Sequence, residues 1–235
     1  MLEKERVNMD ISPILVSMKT ASLSIFITFF LGIFFAKLII EIKNETLRNI
    51  LDGILILPLV LPPTVAGFLL LYLFGVRRPI GQFFLDYFSI KIAFSWGATV
   101  LAAVVMSFPL MYRSARAAFE QVDMNLLHAA RTLGMSEWKI FWQVMMPVAM
   151  PGVISGGILA FARGLGEFGA TAMIAGNIAG KTRTIPLAVY SAVAAGDMET
   201  AGKYVSIIMI LAFLIILSMN YIVPGRAYAH RRNHK

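Results

Sequence analysis

Five apolar runs divide the chain, at residues 14–40, 50–74, 92–112, 148–175 and 204–223. A helix needs about 20 apolar residues to cross a hydrocarbon layer of about 30 Å. The pattern therefore predicts an all-α polytopic membrane protein of five transmembrane helices, one domain over 1–235. In the first run, Lys19 and Lys37 lie near the two ends, where long side chains reach the interface. The second carries Pro58, Pro62 and Pro63 with Gly53 and Gly67. Proline frees backbone carbonyls that lipid cannot satisfy, so this helix should kink against protein or a wet cavity. The third opens at Trp96 and closes on Tyr112, Arg113 and Arg116, read as an interface belt. Between the second and third, 75–91 reads as a loop whose Phe83, Phe84 and Leu85 suit the interface. Loop 176–203 contains a modest helix over 185–195.

Composition sharpens the class. The chain is 58% hydrophobic and 14% charged, with mean hydropathy +0.76. Globular proteins carry about 25% charged residues, so this chain is short of a soluble surface. A net charge of +8 raises nucleic acid as a partner. The cations, however, sit between apolar runs and in the tail (His230, Arg231, Arg232, His234, Lys235), where they flank a membrane. Zero cysteines remove disulfides, thiolate metal sites and cysteine nucleophiles. Residues 1–13 mix acids and bases without a short apolar core, so no cleaved signal peptide is expected.

The longest polar interruption ends in NLLHAARTLGMSEWKIFWQVMMP, residues 125–147. Ala129 and Ala130 precede Gly134, and an amphipathic run leads to Pro147. Physically, a short helix ends at a glycine and turns, and a second helical piece re-enters the membrane near a proline. The small residues would leave a flat knob for another protein to grip. An ordinary interhelical loop would share these features. The spacing resembles the coupling loop of ABC transporter permeases: Glu-Ala-Ala, three residues, Gly, nine residues, then Ile-x-Leu-Pro. Here Ala129-Ala130 reach Gly134, and Val144-x-Met146-Pro147 follows at the family distance. His128 replaces the Glu and removes a carboxylate. The resemblance implies a coupling loop over 119–147 with a coupling helix at about 122–133. His128, Ala129, Ala130, Leu133, Gly134 and Pro147 would meet an ATPase.

In the fourth run Gly152, Gly156, Ala160 and Gly164 recur every four residues, a stripe that lets helices approach closely in lipid. Arg163 and Glu167 are four apart and can pair along a helix. A charge at mid-membrane costs about 2.5–3.5 kcal/mol on insertion scales, so both should face the bundle interior or a subunit interface. Two readings stand: a pair that fixes packing, or a positive charge beside an anion path, tempered by Glu167. Residues 175–182, AGNIAGKT, approach the phosphate-cradling loop pattern. They follow a membrane span rather than a strand, which argues for a plain polar loop. Its Asn177, Lys181, Thr182 and Arg183 would suit a docked solute-binding protein.

Residues 162–190 narrow the resemblance. Gly166-Glu167-Phe168-Gly169-Ala170 and Thr184-Ile185-Pro186-Leu187-Ala188 are similar to the permease subunits of molybdate transporters, in the group that also carries sulfate and tungstate. With Pro62-Pro63-Thr64-Val65-Ala66-Gly67, the likeness covers about residues 14–223. It implies a type I ABC importer permease fold, a homodimer, a cytoplasmic ATPase pair holding ATP and Mg, and an external oxyanion-binding protein. It places no cofactor, metal or catalytic residue on this chain, which would not be an enzyme. Pro62, Pro63, Thr64, Arg163 and Glu167 are candidates for the translocation path. Five spans put the termini on opposite sides. The side of the coupling loop carries the larger share of Lys and Arg, so an external N-terminus and a cytoplasmic C-terminus are expected. A sulfate, thiosulfate or tungstate permease is the alternative within the group. An uncoupled anion channel or secondary transporter is the alternative outside it. None of the three histidines has a metal-ligand spacing, and no nucleophile elbow is present.

Overall fold

The computed structural model describes residues 9–222, so the basic tail at 225–235 lies outside the described residues. Among the described residues eleven α-helices follow one another: α1 Ser12–Glu41, α2 Glu45–Val60, α3 Pro63–Phe74, α4 Pro79–Phe88, α5 Trp96–Glu120, α6 Met124–Thr132, α7 Glu137–Ile140, α8 Met146–Leu165, α9 Gly169–Ile174, α10 Ile185–Ala194 and α11 Met198–Ile222. A π-helical turn, Phe141–Met145, joins α7 to α8 without a break. α1, α5, the run Glu137–Leu165 and α11 are each long and apolar enough to cross a membrane. The pair α2–α3 has the length and apolarity of a fifth span but bends by 110°.

That bend is far more than the kink expected at 50–74. A residue before proline is driven out of the helical region. Leu61 precedes Pro62 and Pro62 precedes Pro63, and both adopt extended ψ angles of 140° and 135°. α2 stops there, and Pro63 restarts the chain at the first position of α3, where its missing N–H costs nothing.

The fourth span also departs from expectation. It begins earlier, at Glu137, and ends at Leu165 rather than near 175. The widened π turn lies just before Pro147, whose ring crowds the carbonyl four residues back in a regular α turn. After Leu165 the chain leaves the helix, and the buried Glu167 carboxylate accepts a hydrogen bond from Ala170 N at 2.8 Å, at the start of α9. Glu167 therefore lies beyond the helix that holds Arg163, and the continuous-helix spacing expected for these two charges does not occur. The loop expected at 75–91 contains α4, whose Phe83, Tyr87 and Phe88 are exposed.

The chain divides into two compact units. One holds the residues up to Leu23, Pro62–Ala103 and Leu165–Ile210. The other holds Ser24–Leu61, Val104–Gly164 and the residues from Leu211 on. In the first, Thr20 meets Thr99 at 2.9 Å and receives the Trp96 indole N–H at 3.1 Å. Ser17 Oγ accepts from Ile185 N at 2.8 Å. In the second, Thr28 meets Ser107 at 3.3 Å. Ser17, Thr20, Ser24 and Thr28 thus form a buried polar stripe along α1. Interhelical hydroxyl contacts of this kind hold membrane helices where no hydrophobic drive separates helix from lipid.

The second unit is built on Ile33, Ala36 and Ile39 of α1, Met111, Tyr112, Ala115 and Phe119 of α5, and Ala149 and Val153 of α8. The small-residue stripe of α8 packs on α5. A Cβ on Gly152 would stand 2.7 Å from Ala118 Cβ, and one on Gly156 would collide with Ser114. Tyr112 and Arg116 do not form an interface belt, because α5 continues to Glu120. Tyr112 is fully buried and donates to Asp52 Oδ1 at 2.6 Å. Arg116 pairs with Asp52 of α2 and with Glu120 at 2.8 Å. Satisfying these polar groups within the protein lets α5 run on for 25 residues, about 37 Å at 1.5 Å each.

Candidate functional site

The segment at 119–147 is built to hold a short helix outward. Asp123 caps α6 by accepting from Asn125 N at 2.8 Å. At the other end Gly134 takes φ +77°, its N–H bonds Arg131 O at 2.9 Å, and Met135 N bonds Ala130 O at 3.2 Å. These two bonds close the helix in a Schellman turn. Nothing lies within 4 Å of a Cβ placed on Gly134, so the glycine serves the backbone alone. Gly134→Ala should lower stability by about 1 kcal/mol, the cost of left-handed geometry for an L-residue, read as a shift in the thermal unfolding midpoint. An unchanged midpoint would mean the turn relaxes freely.

α6 has two faces. Leu127 and Ala130 are buried in the core of their unit, beside Phe119, Val122, Ile140 and Phe141. Leu126, Ala129 and Leu133 point away, with Leu133 81% exposed. Their spacing of three and four residues aligns them as one apolar stripe. Met124 is exposed at the start of the helix. Ala129 and Ala130 therefore do different jobs: Ala129 is surface, and Ala130 is an anchor rather than part of a flat contact surface. Leu126 completes the stripe and was missed, although its distance of three residues from Ala129 was available in the sequence.

The turn beyond α6 is braced by a two-pronged ion pair. Arg131 Nε and Nη2 donate to Glu137 Oε1 and Oε2 at 2.7 and 3.1 Å. The hydrogen bonds it donates to Glu137 hold the guanidinium more firmly protonated than usual. His128, at the position where the family pattern has Glu, is exposed, with Nδ1 3.4 Å from Arg131 Nη1. The carboxylate that partners Arg131 comes from Glu137. Pro147 is exposed and follows the π turn at the start of α8.

The second cluster lies where two helix starts meet. A Cβ on Gly67 would come within 2.6 Å of Ala170 Cα, and one on Gly169 within 2.9 Å of Pro63 Cβ and 3.2 Å of Thr64 N. α3 and α9 are thus in backbone contact. Pro63 and Thr64 stand against Gly169, two residues from the buried Glu167, and Pro62 caps α3. Arg163 is partly buried in the last turn of α8 and belongs to the other compact unit. Residues 175–182 follow α9, not a strand. Thr182 Oγ1 accepts from Ile178 N at 2.9 Å, and Asn177 accepts from Arg183 Nε at 2.8 Å and donates to Ser191 at 2.6 Å. These side chains close the loop on itself.

The chain thus combines helices long and apolar enough to cross a membrane, one candidate span broken at Pro62, and a capped short helix set on buried anchors. The chain belongs to the family of binding-protein-dependent transport system inner membrane components, whose pattern it matches over residues 12–227. It is a multi-pass membrane component. It is 47% identical over 204 residues to the molybdenum transport system permease protein ModB of Escherichia coli (strain K12), covering 87% of this chain and 89% of that one. It is 42% identical to ModB of Haemophilus influenzae over 211 residues, 90% of each chain. Among solved structures, an inward-facing form of the MetNI methionine ABC transporter superposes with a TM-score of 0.72 at 16% identity, covering 94% of this chain and 98% of that one. A bacterial ABC transporter that imports alginate superposes with a TM-score of 0.73 at 15% identity, covering 96% and 80%. The fold is that of type I ABC importer permeases.

Proposed function

We propose that this chain is the permease subunit of an ATP-driven importer for molybdate. It works as a homodimer with its N-terminus outside and its C-terminus in the cytoplasm. An external oxyanion-binding protein delivers the substrate, and a cytoplasmic ATPase pair with ATP and Mg drives the cycle. The observation that carries the reading is α6, an apolar stripe held outward by Leu127 and Ala130 and stopped at Gly134, in a chain so similar to molybdenum permeases. The stripe enters a groove of the ATPase, so nucleotide-driven closure moves α6 and, through Ile140 and Phe141, the span that begins at Glu137. Nucleotide must bind the two arrangements with different free energies for this to work. Pro62, Pro63 and Thr64, Glu167 and Arg163 border the path. An oxyanion is drawn weakly enough to leave, as conduction requires.

The test is uptake of labelled molybdate by cells lacking their own system, with and without the ATPase and binding protein, against excess sulfate or tungstate. Uptake that needs all three proteins and resists sulfate supports the reading. Uptake suppressed by sulfate assigns a sulfate carrier instead, and uptake that persists without the ATPase assigns a channel or secondary carrier. Arg163→Gln should lower uptake about tenfold, the effect of about 1.4 kcal/mol on a barrier, with the dimer intact by light scattering. Loss of dimer together with uptake would assign Arg163 to packing.

A further inference from the structure

The geometry points to a binding site for a phosphate-bearing anion in a cavity of about 410 Å³ behind α6. This volume lies in the range of small-ligand pockets. Three cations, Lys37, Arg48 and Arg131, and three carboxylates, Glu41, Glu120 and Glu137, line it. The two sets are not equally satisfied. Glu137 has both oxygens on Arg131, and Glu120 accepts from Arg116. Glu41 is solvated and only 4.0 Å from Lys37.

Arg131 is held by Glu137, but the other two cations are held more loosely. Arg48 reaches Glu45 at 3.8 Å, and Glu45 is itself 83% exposed. The Arg48 Nε is shut off from solvent with no hydrogen-bond partner. A buried donor of that kind calls for an acceptor. Lys37 Nζ stands over the Phe141 and Trp138 rings at 4.5 and 4.8 Å. Those faces attract the charge without accepting its hydrogen bonds as an oxygen would. Among the described residues the cavity therefore has one buried donor without an acceptor, Arg48 Nε, and a second cation, Lys37, with no acceptor closer than 4.0 Å. A phosphate group supplies several acceptor oxygens and suits arginine and lysine together.

The rest of the wall is apolar, with Phe119, Leu127 and Phe141 among its residues. The cavity lies at the ends of two membrane helices, α1 and α5, where both a phospholipid headgroup and a soluble phosphate can arrive. An occupant would touch Leu127 and Arg131 and so brace α6 from behind. Only this last consequence rests on the coupling role proposed for α6; binding itself is measured separately.

The full chain in detergent is heated with phosphatidylglycerol, with diacylglycerol, and with inorganic phosphate. Phosphatidylglycerol should raise the unfolding midpoint, diacylglycerol should not, and Arg48→Gln should weaken the response about tenfold in ligand concentration. A shift with inorganic phosphate as well assigns a soluble anion; a shift with the lipid alone assigns a headgroup. Lys37→Gln gives the same readout should Arg48→Gln fail to fold. Equal responses in wild type and variant, or no response to either phosphate source, would overturn the site. Failed molybdate uptake with an intact lipid response would leave the site standing and remove only the importer reading.

Discussion

Leu133→Asp is expected to abolish ATP-driven uptake while the protein still inserts, folds and dimerises. Leu133 is 81% exposed, so its replacement removes little internal packing. Exposed substitutions usually change stability by no more than about 0.5 kcal/mol. At the proposed ATPase contact the effect is different. Truncating an interface hot spot costs about 2 kcal/mol or more, about thirtyfold in affinity, and an unpaired carboxylate in an apolar groove adds its own desolvation cost. The measurement is uptake beside capture of the ATPase by the purified permease. Leu127→Ala is the contrast. Leu127 is 4% exposed, and opening a cavity there should cost about 2–5 kcal/mol of stability. Normal uptake by Leu133→Asp would remove α6 from the coupling role.

Gly67→Val should have the largest effect on folding. A Cβ at Gly67 would lie 2.6 Å from Ala170 Cα and 2.8 Å from Ala170 O. Those are backbone atoms of a buried helix, and they cannot turn aside as a flexible side chain can. Overpacking a well-filled core typically costs about 1–3 kcal/mol, sometimes more, and two further methyl groups aggravate it. The prediction is loss of the monodisperse peak in size-exclusion chromatography. Gly202→Ala is the control, because nothing lies within 4 Å of its Cβ. Within a helix that change should be neutral or stabilising by up to about 1 kcal/mol. A monodisperse, active Gly67→Val would mean that α3 and α9 do not need their close approach.

Several features were legible because their causes are local. Twenty apolar residues in a row fail to dissolve in water whatever surrounds them, so the membrane class needs only composition along a window. A glycine after a short helix invites left-handed geometry, and Gly134 adopts it. Two successive prolines exclude the helical region at Leu61 and Pro62, so a kink in that span was readable, though not a full break. Its angle of 110° was not, because the angle depends on what α3 packs against. The glycine stripe of α8 was readable as a close-approach face, but not its partner, α5.

Other features depend on residues far apart in the chain. The sequence alone determined a polytopic helical membrane protein, the place and end of α6, a proline kink in the second span, and the resemblance to oxyanion permeases. Tertiary structure decided that Ala130 is an anchor while Ala129 and Leu126 are surface, because only packing on Phe119 and Ile140 selects which side of α6 is buried. It decided that Arg116 serves Asp52 and Tyr112 rather than lipid headgroups, since the carboxylate arrives from another helix. It ended the fourth span at Leu165 and set Gly169 of the next helix against Pro63 and Thr64, far earlier in the chain. Hydropathy and turn chemistry act over a few residues and survive in the one-dimensional string. Hydrogen bonds and packing in a membrane bundle join residues tens of positions apart, and those appear only when the helices are assembled.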